Sequence, residues 1–108
     1  MKPVLPGVFA LFLGSVAEWT FLTNHAHVLI CVAQDSNIRL RDVAEQVGIT
    51  ERAAQRIVAD LVDAGYLERS REGRRNTYSL NPDLPLRHPL ERRHSVGEII
   101  AVLAGEPV

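Results

Sequence analysis

The sequence predicts one small domain that is mainly α-helical and carries a single β-hairpin, an α+β architecture. Apolar residues recur at helical spacing in four segments, and two short segments with strand character follow the third of them. Glycine, proline and small polar residues separate these segments. The length of 108 residues suits one domain, and 46% apolar and 23% charged residues are ordinary for a soluble globular protein.

The first predicted helix covers residues 23–33 and is apolar over most of its surface. Thr23 or Asn24 can cap its start, because both residue types accept a hydrogen bond from a free helical N–H group. The turn-forming residues at 34–37 end it. Residues 38–40 alternate in polarity, which predicts a minimal strand.

A pair of helices joined by a tight turn comes next. The shorter helix is predicted at 41–47 and ends at Gly48, which tolerates the left-handed backbone region. Thr50 supplies a hydroxyl that can cap the longer helix, predicted at 51–64 and ended by Gly65. The buried stripe of the longer helix has i, i+3, i+4 and i+7 spacing and consists of Ala54, Ile57, Val58 and Leu61.

A β-hairpin is predicted from two strand candidates at 66–71 and 76–80, joined by a basic loop at 72–75 that contains a glycine. Residues 81–89 are too rich in proline for a helix and are expected to run extended. A last helix follows. Its start is predicted at Ser95 because Ser95 and Glu98 have capping-box spacing, with Pro89 as the alternative start. Its apolar stripe is formed by Val96, Ile99, Ile100 and Leu103.

Two short helices and a basic hairpin, in this order, predict a winged helix-turn-helix. In this fold the second helix enters the major groove of DNA, so its outer face is polar. Here that face presents Arg52, Gln55 and Arg56; arginine can bind guanine and glutamine can bind adenine, each by two hydrogen bonds. Thr50 and the free amides beside it can bind a phosphate. The predicted DNA-binding residues are Thr50, Arg52, Gln55, Arg56, Arg71, Arg74, Arg75 and Asn76.

Two stretches carry a family resemblance. Residues 40–50 (LRDVAEQVGIT) and 61–67 (LVDAGYL) resemble the helix-turn-helix and the helix-to-wing junction of MarR-like and ArsR-like bacterial or archaeal regulators, over roughly residues 20–81. The resemblance implies binding of operator double-stranded DNA as a homodimer, with the second helix of the motif in the major groove. By position, the residues implied to face DNA are Thr50, Arg52, Gln55 and Arg56, with Arg74 and Arg75 in the wing. A typical MarR-like protein is longer and has extra helices at both ends.

The formal net charge is only −1, so the total charge does not indicate an acidic partner. The type and the distribution of the basic residues, however, support DNA binding. Eleven of the twelve basic residues are arginine, the side chain suited to bidentate contacts with phosphate and guanine. Between residues 69 and 93 there are seven arginines against three acids. The alternative hypothesis is a winged-helix module that binds protein and not DNA, in which these arginines only keep the surface soluble.

Other functions have little support in the sequence. No acid/base pair, catalytic triad, phosphate loop or dinucleotide motif is present, so we predict neither an enzyme nor a cofactor. His27 and Cys31 share a helix face, but one cysteine and scattered histidines do not supply the three or four ligands of a typical metal site. We therefore predict no bound metal. The sequence does not indicate whether a small effector exists.

The N-terminal residues combine an apolar run at 8–13 with a small-residue pattern at 15–17, a weak resemblance to a signal peptide. The run is shorter than the about 20 residues that span a bilayer, and a single cysteine suits the cytoplasm, where we place the protein without membrane attachment. We expect this arm and the last helix to pack across the two-fold axis of a dimer; the competing interpretation folds the last helix onto the first. The predicted parts are an N-terminal extension at 1–18, the winged helix-turn-helix at 19–81, a Pro/Arg-rich connector at 82–94 and a dimerisation helix at 95–108.

Overall fold

Four helices and one antiparallel hairpin make up residues 18–105, the part of the chain that the computed structural model describes. This architecture confirms the predicted α+β class. The apolar run at 8–13 and the small-residue pattern at 15–17 lie outside the described residues. In chain order the elements are α1 (Asn24–Gln34), α2 (Leu40–Val47), α3 (Glu51–Asp63), β1 (Leu67–Glu72), β2 (Arg75–Leu80) and α4 (Val96–Ala104).

Helix α1 lies at the centre of the domain and contacts α2, α3, α4 and β2. Because it is covered from several sides, its apolar residues are spread around the helix and do not form a single stripe. The most deeply buried large side chains come one each from α1, α2, α3 and β1, and they are Val28, Val43, Val58 and Leu67. The core therefore joins the helices to the base of the hairpin.

The turn between α2 and α3 has the predicted chemistry. Gly48 ends α2 with φ 88°, and its N–H donates to the carbonyl of Ala44 at 2.8 Å. Thr50 caps α3, because its hydroxyl oxygen accepts from the N–H of Ala53 at 3.0 Å. Thr23 occupies the N-cap position of α1, but its side chain makes no capping hydrogen bond there.

The predicted strand at 38–40 is wrong. Leu40 begins α2, and the carbonyl of Arg39 accepts from the N–H groups of Asp42 and Val43, which starts the helix one residue earlier than expected. Ile38 is buried, so its apolar character reflects core packing and not strand alternation. Beside this segment, β2 is linked to the α1–α2 turn by the bond from Tyr78 N–H to the Ser36 carbonyl, 3.0 Å long.

The hairpin is tighter than predicted. Glu72 pairs with Arg75, so the turn has only Gly73 and Arg74 between the paired positions. Gly73 takes φ 66°, a conformation that favours glycine. The pairing begins at Leu67 opposite Leu80, where the hairpin meets the core.

The connector, expected to run extended, instead folds through a series of turns. Pro85 and Ser95 form an isolated antiparallel bridge, flanked by the bond from Leu86 N–H to the His94 carbonyl at 3.0 Å. Proline lacks an N–H group but keeps its carbonyl; the carbonyl of Pro85 accepts from the Tyr66 hydroxyl at 2.6 Å. Residues 87–93 therefore form a loop closed at its base.

Helix α4 begins after Ser95, whose hydroxyl accepts from the N–H of Glu98 at 3.2 Å, so the alternative start at Pro89 is wrong. It packs against α1 of the same chain. Val96 and Ile100 are buried in this contact, whereas Leu103 from the same predicted stripe is exposed. This packing is the arrangement of the competing, intrachain interpretation. Among the described residues, no helix is both long and apolar enough to cross a membrane.

Candidate nucleic-acid interface

The outer face of α3 carries the predicted recognition residues. Arg52, Gln55 and Arg56 are exposed, and with Thr50 and Ala53 they line a shallow surface depression. With about 100° between successive helical residues, these three side chains lie opposite the stripe that α3 buries in the core. Within residues 18–105, none of the three makes a hydrogen bond or ion pair. Their donors are therefore available to a ligand.

Thr50, at the start of α3, can accept one hydrogen bond and donate another. Its oxygen accepts the capping bond from Ala53, and a hydroxyl that accepts one bond still has a hydrogen to donate. The first turn of a helix also presents backbone N–H groups without intrahelical partners and a partial positive charge. This end of α3 is suited to contact an anion together with the neighbouring arginines.

The charge of α3 changes sign along its length. Asp63 lies within about 40° of the direction of Arg52 and Arg56 around the helix axis, but about two turns beyond Arg56 and three turns beyond Arg52 toward the C-terminus. Asp60 is bonded to His25 of α1, with 2.9 Å between its Oδ2 and the Nε2 of the histidine. The N-terminal half of α3 carries Arg52 and Arg56 against one acid, Glu51, so its net charge is positive, whereas that of the C-terminal half is negative.

The predicted wing residues lie in and beside the hairpin turn. Arg74 occupies the turn, and Arg71 and Arg75 are exposed on the two strands, whereas Asn76 is half-buried opposite Arg71. The guanidinium of Arg75 donates from Nη2 to the backbone carbonyl of Asn37 at 2.6 Å. One predicted phosphate-binding side chain is thus anchored to the turn between α1 and α2.

The predicted site residues form two groups and one separate member. The α3 group shares one depression, and Arg74, Arg75 and Asn76 share a second one with the segment before α2. Arg71 lines neither of these two depressions. Sequence reasoning missed Arg39, which lines the second depression but was assigned to a strand. Only tertiary contacts bring Arg39 beside the wing, so periodicity offered no signal for it.

His27 and Cys31, the two residues considered as metal ligands, each form a hydrogen bond with another side chain. The Cys31 thiol donates to Oε1 of Gln46 at 3.4 Å, and Nδ1 of His27 lies 3.0 Å from Oδ1 of Asn24. Burial raises the pKa of the Cys31 thiol, which disfavours the thiolate form that binds metal ions. Across residues 18–105, no three His, Cys, Asp or Glu side chains are grouped so that they could hold a metal ion.

Comparisons with known proteins agree with this architecture. Residues 23–68 match the family model of winged helix-turn-helix DNA-binding domains. The structure is similar to that of MepR, a transcription regulator of the Staphylococcus aureus multidrug efflux pump MepA, with a TM-score of 0.51 and 14% identity over 76% of this chain and 56% of MepR. It is also similar to the zinc-dependent MarR family transcriptional regulator AdcR in its Zn(II)-bound state, with a TM-score of 0.48 and 19% identity over 83% of this chain and 57% of AdcR. The comparison with curated proteins gave no match.

The chain therefore has the winged helix-turn-helix fold, in which α1, α2 and α3 are followed by the β1–β2 hairpin, and its match to the DNA-binding family model covers α1, α2, α3 and the start of β1. In this fold α3 holds the position of the recognition helix, and the hairpin holds the position of the wing. The fold shared with MepR confirms the predicted architecture. The chain spans a little over half the length of each of the two regulators.

Proposed function

We propose that this protein is a transcription regulator that binds double-stranded DNA in a sequence-specific manner. The observation that carries the proposal is the group of Arg52, Gln55 and Arg56 on the exposed N-terminal half of α3, in a domain of the DNA-binding winged-helix class. Two guanidinium groups and one amide supply the hydrogen bonds that distinguish guanine and adenine in the major groove.

In the proposed complex, the N-terminal half of α3 enters the major groove and Thr50 donates to a phosphate at its edge. Arg71, Arg74 and Arg75 of the wing contact the backbone or the adjacent minor groove, with Asn76 beside them. The proposed activity requires no catalytic group and no cofactor, and we propose that the protein acts in the cytoplasm.

Selection from a pool of random duplexes tests this function. We expect repeated rounds of binding to enrich one sequence motif, because side chains that contact base edges discriminate by about 1–3 kcal/mol per position. Retention of DNA without enrichment would contradict sequence specificity. If no duplex is retained at low salt, the protein-interaction module becomes the better hypothesis.

We also propose that the protein works as a homodimer. Trp19 and Phe21 precede α1 and pack edge to face with ring centroids 5.0 Å apart, yet they remain 69% and 92% exposed. On α4, Val102 is 80% exposed and Leu103 is 42% exposed. Large apolar side chains left in water are a frequent mark of a protein interface. Two-fold packing through the terminal segments would cover them.

Light scattering at micromolar concentration tests the dimer. The unmodified protein is expected to have the mass of two chains, and Phe21→Ser combined with Val102→Asp should reduce it to the mass of one. Leu90→Ser is the matched control, because Leu90 is equally exposed but lies in the connector loop. A charged residue at Ile100 would not test the dimer, because Ile100 is buried in the chain's own core and a charge there would destabilise the domain itself. A monomeric mass for the unmodified protein would rule out a stable dimer.

A further inference from the structure

A basic groove lies between the α1–α2 turn and the wing. Three arginines line it, Arg39 from the residue before α2 and Arg74 and Arg75 from the hairpin, together with Asn37 and Asn76. None of the residues that line this groove is acidic. Three like charges on one concave surface repel one another, so the arrangement favours a ligand that brings negative charge.

The two sides of the groove are held together by hydrogen bonds. The Arg75 guanidinium donates to the Asn37 carbonyl at 2.6 Å, and the Tyr78 N–H donates to the Ser36 carbonyl at 3.0 Å. Tyr78 is itself buried in the core. The wing is therefore fixed against the α1–α2 turn at its base, which keeps Arg39 on the same surface as the wing arginines.

The carboxylates nearest in sequence leave this charge largely uncompensated. Asp35 precedes the groove, and its Oδ1 accepts from the backbone N–H of Asn37 at 3.0 Å. Asp42 lies three residues after Arg39, but no ion pair joins the two side chains. Glu72 pairs with Arg75 in the strand register, but no ion pair joins the two side chains. Within residues 18–105, Arg39 and Arg74 have no acidic partner within ion-pair distance.

We propose that this groove holds the sugar-phosphate backbone of the bound duplex and that Arg39 contacts a phosphate there. The inference rests on the proposed function, because the wing arginines on the opposite side of the groove are the residues expected to contact the same backbone. Arg39 thus adds a phosphate contact from the helix-turn-helix side. The bond to Asn37 makes that backbone carbonyl a positioning group for Arg75, and a guanidinium with five N–H donors keeps donors for a phosphate.

Arg39→Ala and Arg41→Ala provide a matched test. Both arginines are exposed and lie two positions apart, but only Arg39 lines the groove. The Arg39 side chain makes no capping bond to α2, so its removal should leave the helix intact, which a thermal unfolding curve checks. Duplex affinity is measured across a salt series for both variants, for Arg39→Lys and for the unmodified protein.

For Arg39→Ala we expect about an 8-fold loss of affinity at 0.1 M salt and a slope of log affinity against log salt that is shallower by about 0.9. Arg41→Ala should stay within about twofold of the unmodified protein, and Arg39→Lys should recover most of the slope, because lysine contacts phosphate as a point charge. If the unmodified protein binds duplex but both alanine variants behave alike, the groove assignment is wrong and the proposed function stands. If the unmodified protein does not bind duplex at low salt, both are overturned.

Discussion

The two halves of α3 share one buried stripe but present opposite charges to solvent. The N-terminal half carries Arg52, Gln55 and Arg56 beside the single acid Glu51, and the C-terminal half carries Asp60 and Asp63. Acidic residues near a helix C-terminus interact unfavourably with the helix dipole, by about 0.3–1 kcal/mol each at exposed positions. Helix stability therefore does not explain them.

The difference indicates how a duplex approaches the domain. A phosphate near the start of α3 meets two arginines and free N–H groups against one carboxylate, Glu51, whereas a phosphate near its end meets carboxylates and no arginine. The hydrogen bond between Asp60 and His25 also joins the C-terminal half of α3 to α1. We infer that α3 enters the major groove by its N-terminal end, the geometry common to helix-turn-helix proteins.

The largest expected effect is that of removing the wing charges. Arg74→Ala combined with Arg75→Ala should lower duplex affinity by about 60-fold at 0.1 M salt and make the salt slope shallower by about 1.8, because two phosphate contacts are lost. All sequences should be affected alike. Equilibrium binding to the selected duplex and to an unrelated one measures this. A loss confined to the selected duplex would place the wing on base edges and not on the backbone.

A second effect, restricted to particular sequences, is expected from the recognition helix. Arg52→Ala should cost about 1–3 kcal/mol on the preferred duplex and relax the preference at one base position, since a bidentate contact to a base is removed. Repeating the selection with this variant measures the change. Arg92→Ala in the connector loop is the charge-matched control. An unaltered motif would show that Arg52 is not on the face that contacts bases.

The smallest effect is expected at the other end of α3. Asp63→Asn removes an exposed carboxylate without changing side-chain size, and we expect duplex affinity to rise by less than about twofold, because exposed charges separated by more than about 10 Å are screened at 0.1 M salt. Titration at that salt concentration measures the change. A tightening of about tenfold would mean that Asp63 also lies near a phosphate, and the contrast between the two halves would no longer hold.

The helix-turn-helix was predictable because its signals are local. Gly48 and Thr50 fix the turn through their own backbone and hydroxyl, and the spacing of the apolar residues in α3 fixes its buried face. The strand predicted at 38–40 failed because two apolar residues flanking one polar residue describe a strand and a helix entry equally well. What decided between them was the packing of Ile38 into the core, which depends on the whole fold.

The connector shows a second limit of local signals. Its prolines excluded a helix correctly, but they did not reveal that their carbonyls would accept hydrogen bonds from Tyr66 and Gly97. The need for glycine at position 97 was not visible in the sequence either. A Cβ at Gly97 would lie 2.6 Å from the Cβ of Pro82, which is too close for two carbon atoms. Its role is to let α4 approach the connector closely. Arg39 was missed for the same reason, since its position beside the wing is a tertiary contact.

The most direct test of the central claim is the salt dependence of duplex binding by the unmodified protein. Fluorescence anisotropy with a labelled duplex, repeated between about 50 and 200 mM salt, gives the slope of log affinity against log salt. We predict a negative slope steeper than about −1.8, the contribution expected from Arg74 and Arg75 alone. Binding that is absent at 50 mM salt, or that does not change across the series, would contradict the account.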